Sequence, residues 1–276
     1  MNKKNNPVLT LIFTIISIIY VSPIFIVIIN SFKKKAYITK RPFAIPQGKS
    51  YVGLANYIEG MRKIDFWGSF VNTLIITVGS VFAIILLTSM CAWYLTRVKN
   101  KVTEAIYYLC LFSMIVPFQM VMYTLSKEAN MLKLNNPFTI IIVYLGFGAG
   151  LAVFMFCGFV KSIPLEIEEA AMIDGCTPIQ TYFQIVFPIL KPTSITVAIL
   201  QAMWIWNDYL LPYLVLDIKR YKTISIAIQY LKGGYGSIDM GAMMAMLVLA
   251  IIPIIAFYVS CQKYIIEGVV AGAVKG

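Results

Sequence analysis

FTIIIVYLGFGAGLAVFMFCGFV, Phe138 to Val160, runs 23 residues without a charge and passes straight into KSIPLEIEEAAMIDGCTPIQTYFQIVFPILKP, Lys161 to Pro192. An α-helix rises about 1.5 Å per residue, so about 30 Å of hydrocarbon needs about 20 residues. The first stretch is long enough to cross a bilayer. The second carries four of the chain's 12 acidic residues, Glu166, Glu168, Glu169 and Asp174, and is not a span. A continuously apolar run of this length is helix, because barrel strands alternate and are nearer ten residues long.

Working outward, five more apolar runs are long enough to cross: Val8 to Ile29, Phe70 to Tyr94, Ala105 to Leu125, Thr193 to Leu216 and Met240 to Tyr264. The first has no small-residue cleavage site and is expected to stay as an anchor. The reading is an all-α, polytopic membrane protein of six spans forming one transmembrane domain, 1–276. Long connections fall at 30–69, 161–192 and 217–239, with a shorter one at 126–137. Composition agrees: 60% of the chain is hydrophobic and 13% charged, against roughly 45–50% and about 25% in soluble domains.

Several chemistries are disfavoured. The five cysteines, Cys91, Cys110, Cys157, Cys176 and Cys261, lie singly, with no metal or redox spacing, and there is no histidine. No metal site and no catalytic residue is expected, and Gly-x-Ser-x-Gly is absent. Gly48-Lys49-Ser50 falls short of a phosphate-binding loop because Phe43 stands where its first glycine is needed. The net charge of +11 is spread through connections, which suits anionic lipid headgroups better than nucleic acid.

Within 161–192, Ser162 ahead of Pro164 and Glu166 reads as a helix start, and the helix is expected to end near Asp174, with Gly175 as its stop. A second short helix, with Ile179, Tyr182, Phe183 and Val186 on one side, runs to Pro188. Two short helices thus lie across the membrane face, joined by a glycine turn. Ala170 and Ala171 permit close approach of another surface, and Glu168, Glu169 and Asp174 offer carboxylates to basic groups.

Charge gives a conflicting orientation. With the amino terminus inside, the inner segments hold nine basic residues and the outer loops 14, eight of them in 30–69. Taken literally, that favours the opposite orientation, although the rule weights short loops, and Arg97, Lys99 and Lys101 crowd the very short second connection.

The run Glu169-Ala170-Ala171, Asp174-Gly175 and Ile185-Val186-Phe187-Pro188 resembles the EAA loop of binding-protein-dependent ABC importers, in spacing and in position between the fourth and fifth of six spans. The likeness is strongest to maltose-type sugar permeases and extends to Asn30-Ser31-Phe32-Lys33, Asn72-Thr73, Trp206-Asn207-Asp208 and Gly272-Ala273-Val274-Lys275-Gly276. Cys176 stands where alanine is usual and Phe187 where leucine is usual. The resemblance implies a type I importer permease fold whose 161–192 loop is a cytoplasmic coupling helix seated in an ATPase cleft. Glu168, Glu169, Ala170, Ala171, Asp174 and Gly175 would form that contact, with Glu169 the anchor. It also implies a bacterial cell membrane, both termini cytoplasmic, and four partners: a second six-span permease, two ATPase subunits and an external solute-binding protein. This chain would carry no cofactor, with ATP and Mg held by the ATPase, and the cargo would be a sugar or oligosaccharide. A non-sugar solute and an ion-coupled carrier are the alternatives; for the carrier, Asp208 is the acidic candidate away from a span edge.

Polar residues inside spans are functional candidates because hydrocarbon does not solvate them. Trp206, Asn207 and Asp208, then Gln119 beside Pro117, and Asn72 are the candidates for a substrate path. Gly233-Gly234-Tyr235-Gly236 is glycine-rich, and the resemblance implies that its loop reaches the binding protein.

Overall fold

The structure, a computed structural model, describes residues 7–232 and 238–273, with side chains for 7–232 and 238–263. Among them the chain is helical: α1 (Pro7–Ser31), α2 (Lys35–Lys40), α3 (Ala55–Lys63), α4 (Phe66–Arg97), α5 (Lys101–Ile115), α6 (Phe118–Met131), α7 (Ile140–Val160), α8 (Leu165–Ile173), α9 (Pro178–Gln180), α10 (Phe187–Ile189), α11 (Lys191–Asn207), α12 (Leu210–Val215), α13 (Ile224–Gln229) and α14 (Met240–Ala273). Outside the helices, β pairing among the described residues amounts to two isolated bridges.

Four of these helices, α1, α4, α7 and α14, are each long and apolar enough to cross a bilayer, and two bent pairs bring the spans up to six. The run expected as one helix over 105–125 is two, α5 and α6, meeting at 107°. Pro117 disfavours a helical residue before it, and Val116 is accordingly extended, with φ −71° and ψ 114°. The run expected over 193–216 likewise breaks after Asn207, where Asp208 leaves the helix with ψ 132° before α12 resumes. The 178–189 segment enters α11 at a bend of 73°.

The chain divides into two compact units, residues 1–68 with 227–253, and residues 69–226 with 254–276. In the first, Lys33 is fully buried and donates from Nζ to Asn30 Oδ1 at 2.9 Å and to the carbonyls of Arg41 and Pro42 at 3.0 and 3.1 Å. Burial lowers its ammonium from the ordinary lysine value. Asn56 Nδ2 donates to the carbonyls of Ser31 and Lys33, so the stretch expected as a bare loop at 30–69 is folded around the end of α1. Lys63 closes the unit by pairing with both Glu59 and Asp239 at 2.6 Å.

The second unit is organised around α7, whose buried Tyr144, Phe156 and Val160 join Ile76 and Ile84 of α4 and Tyr182, Val186, Leu190 and Leu211 in one cluster. Helix α7 packs on α5 at Gly150, where a Cβ would lie 2.6 Å from the Cys110 carbonyl oxygen and 2.6 Å from Ser113 Oγ. Small residues allow spans to approach closely in this way.

Candidate coupling site

The 161–192 loop is built from two helical pieces, as its residues predict, but its start is different. Ser162 is no cap: its hydroxyl donates back to the Phe159 carbonyl, and α8 begins at Leu165 after Pro164, which takes an extended ψ of 135°. The stop is as expected. Gly175 has φ +88°, and the N–H groups of Gly175 and Cys176 return to the carbonyls of Met172 and Ala171 at 3.0 Å. This pair of bonds satisfies orphan carbonyls and needs a left-handed residue, hence glycine. Thr177 then caps α9 reciprocally with Gln180 around Pro178.

Residues 181–186 are wound with i→i+5 hydrogen bonds, the Phe187 N–H reaching the Tyr182 carbonyl. The wider turn changes which residues share a face. Tyr182 and Val186 are buried as expected, but Ile179 and Phe183, placed beside them by α-helical spacing, are exposed.

The main correction concerns Glu168. Grouped by sequence with the exposed carboxylates, it points into the protein and is 1% exposed. Its Oε1 accepts from Arg97 Nε at 2.9 Å and Nη2 at 2.6 Å, and its Oε2 accepts from Trp93 Nε1 at 2.9 Å. Arg97 also donates to the Ile163 carbonyl at 3.0 Å, just ahead of α8. A buried carboxylate is tolerated only when paired and hydrogen-bonded, and Glu168 is both. Ala171 is buried as well, so of the alanine pair only Ala170 faces outward. The outer face of the loop shows Glu169, Ala170, Asp174 and Gly175, together with Ile173, which is 86% exposed.

Farther along, Tyr182 places its hydroxyl 2.6 Å from Ser89 Oγ and its ring 5.5 Å from that of Trp93. Ser89, Trp93 and Arg97 recur at i, i+4 and i+8, one stripe of α4. The loop is therefore attached to α4 through both of its halves, at Glu168 and at Tyr182. Sequence reading used Arg97 only as a positive charge and passed over Trp93; the signal available was this four-residue spacing at the end of a span. The arrangement joins an exposed helix to a long span at two points.

The substrate-path candidates do not converge. Trp206 is buried and meets Phe70 edge-on at 5.9 Å. Asn207 is exposed and donates to the Met203 carbonyl of its own helix. Asp208 accepts from the Tyr144 hydroxyl at 3.0 Å and from the N–H groups of Leu210 and Leu211, capping α12. Asn72 donates to the Lys222 carbonyl at 3.2 Å, beside Thr73, which accepts from the Ile224 N–H. Gln119 is exposed in the first turn after the Pro117 break. Gly233, Gly234, Tyr235 and Gly236 lie outside the described residues, as do Val274 to Gly276.

Fold and loop together define the membrane-spanning subunit of an ABC importer. A permease-containing bacterial ABC transporter described as importing the acidic polysaccharide alginate superposes over 93% of this chain and 95% of its own, with TM-score 0.76 and 25% identity. The chain belongs to the family of binding-protein-dependent transport system inner membrane components, whose pattern matches residues 84–270. It is 38% identical over 267 residues to a probable starch degradation products transport system permease of Thermoanaerobacterium thermosulfurigenes, covering 97% of this chain and 96% of that one. A multiple sugar-binding transport system permease of Streptococcus mutans is 34% identical, covering 95% and 94%, and a melibiose, raffinose and stachyose import permease of Bacillus subtilis is 31% identical, covering 99% and 98%.

Proposed function

We propose that this subunit forms half of the pore of an ATP-driven importer for a sugar or oligosaccharide, with α8 as the element that engages the ATPase. The observation that carries the reading is the two-sidedness of α8: its inner face is tied to α4 through Glu168, while its outer face presents Glu169, Ala170 and Ile173 to a partner. A rigid link between a docking helix and a span is what two-state coupling of ATPase movement to pore access requires. Similarity to permeases named for starch degradation products, for multiple sugars, and for melibiose, raffinose and stachyose supports the cargo class. In this reading the loop and both termini face the cytoplasm, ATP and Mg reside on two partner ATPase subunits, and a second permease and an external binding protein complete the assembly. Hydrolysis is the ATPase's task, not this chain's.

The test is Glu169→Lys in proteoliposomes with the cognate subunits. Because Glu169 is exposed, the variant folds, yet the ATPase no longer co-elutes and uptake of labelled oligosaccharide falls at least tenfold. Unchanged uptake and co-elution overturn the coupling assignment. Stimulation of hydrolysis by an amino-acid-loaded binding protein, and none by an oligosaccharide-loaded one, overturns the cargo class.

A further inference from the structure

The ends of α4, α5 and α7 enclose a pocket of 540 Å³ that the coupling function does not use. It is lined by Lys99, Lys101 and Lys161, together with Glu104, Tyr107 and Tyr108. Leu95 and Cys157, within a turn of the ends of α4 and α7, also line it. All three lysines are exposed, and among the described residues none of them is in an ion pair. Lys161 Nζ sits 5.6 Å from the centre of the Tyr107 ring. Glu104 offsets one of the three charges, leaving two in excess. The first N–H groups of α5 are already satisfied, since Asn100 Oδ1 accepts from Val102 and Thr103 at 2.9 Å. The ammonium groups, not the helix terminus, are therefore what an anion would meet.

We propose that this pocket binds the headgroup of an anionic phospholipid. Depth and chemistry favour a lipid over a soluble anion. Lys101 opens α5 and Lys161 directly follows α7, so the charges stand where spans leave the hydrocarbon, and basic pockets between helices at that level suit lipid phosphates. Two tyrosines mark the same level, where amphipathic rings settle. Tyr108, which lines the pocket, is followed on the same face of α5 by Phe112 and Ile115 at i+4 and i+7, all exposed, giving an acyl chain an apolar track beneath the phosphate. The pocket begins two residues from Arg97, so the bound lipid braces the turn of α4 that holds Glu168.

The experiment uses the full chain in nanodiscs of dioleoyl phosphatidylcholine doped with dioleoyl phosphatidylglycerol, with bound lipid read by native mass spectrometry. Wild type retains phosphatidylglycerol in preference to phosphatidylcholine. Each lysine near a membrane surface is worth about a factor of five, so K99Q/K101Q/K161Q binds it on the order of a hundredfold more weakly. K127Q/K133Q/K219Q removes the same charge from exposed lysines elsewhere and leaves retention unchanged. No preference for the anionic lipid, or equal loss in the two triple variants, overturns the site. Displacement of the lipid by millimolar inorganic phosphate overturns the lipid assignment in favour of a soluble anion.

Discussion

Replacing Glu168 by Gln tests whether α8 is held by its buried carboxylate. The side chain is 2% exposed and that of Arg97 19%, so the substitution leaves a largely dehydrated guanidinium without its counter-charge. Removing one member of a buried pair costs about 3–5 kcal/mol, whereas removing both for apolar groups is often close to neutral. Arg97 keeps its bond to the Ile163 carbonyl and some contact with water, which places Glu168→Gln at the low end, about 3 kcal/mol. At about 1.4 kcal/mol per factor of ten, the local opening of α8 should become on the order of a hundredfold more populated. Native-state hydrogen exchange reads such openings directly. Amides of Leu165 to Ile173 should exchange about a hundredfold faster in Glu168→Gln, and less than about tenfold faster in the R97L/E168L double variant. Trp93→Phe, which keeps the ring against Tyr182 but loses the N–H donor, should fall between at about 1.5–3 kcal/mol. If Glu168→Gln exchanges within twofold of wild type, or the double variant is as fast as the single, the pair does not hold the helix.

Gly175→Ala meets no atom within 4 Å but forces a Cβ onto φ +88°, so it should cost about 1–2 kcal/mol, with Gly175→Asn milder, measured as faster exchange through 172–177. Gly150→Ala drives a methyl into the Cys110 carbonyl and Ser113 Oγ and should cost about 1–3 kcal/mol, seen as a lowered unfolding temperature in detergent. Burial alone would raise the Asp239 carboxyl, but hydrogen bonds from Lys63 and the Ala242 N–H outweigh it and hold the group below its ordinary value. Its stabilisation is therefore full above about pH 4 and is lost as pH falls through the lower folded value. The Lys63 ammonium is raised, chiefly by its hydrogen bond to Asp239 and then by that to Glu59, so its share is full below about pH 10.4 and is lost as pH rises through the folded value. With Lys63 46% exposed, the pair is worth about 0.2–1 kcal/mol, and Asp239→Asn should flatten the acid limb of a pH–stability profile.

What was legible in the sequence follows from which forces act locally. Span length and apolarity are set by the bilayer and can be counted, so α1, α4, α7 and α14 lie where the runs at 8–29, 70–94, 138–160 and 240–264 place them. Gly175 was legible because a positive φ has few tolerant residues. The break at Pro117 was signalled by the proline, yet the apolar run continued through it and concealed two helices as one. The direction of Glu168 was not legible, because its partners are 71 and 75 residues away on another helix, and a carboxylate beside two others in a loop reads as solvated until those partners are seen. The i→i+5 winding at 181–186 belongs to the same class: four-residue arithmetic put Phe183 with Tyr182, and a wider turn separated them.

Distance also bears on the charge count that pointed the wrong way relative to the resemblance. Two of the eight basic residues in 30–69 are already engaged: Lys33 is buried among carbonyls and an amide, and Lys63 is shared between two carboxylates. Neither presents a free charge to a membrane surface in the folded chain. Arg97, on the side of the coupling loop, is likewise consumed by Glu168, so charge counting loses information on both faces. Lys99, Lys101 and Lys161 remain unpaired among the described residues, clustered at the ends of spans and close to the loop. Orientation rules weight short connections most, and the residues that keep their charge near the ends of α4, α5 and α7 are those with the geometry to meet anionic headgroups. On that argument the proposed cytoplasmic placement of the 161–192 loop and the proposed lipid pocket share one cause, and topology mapping that puts Lys99 outside the cell would remove both.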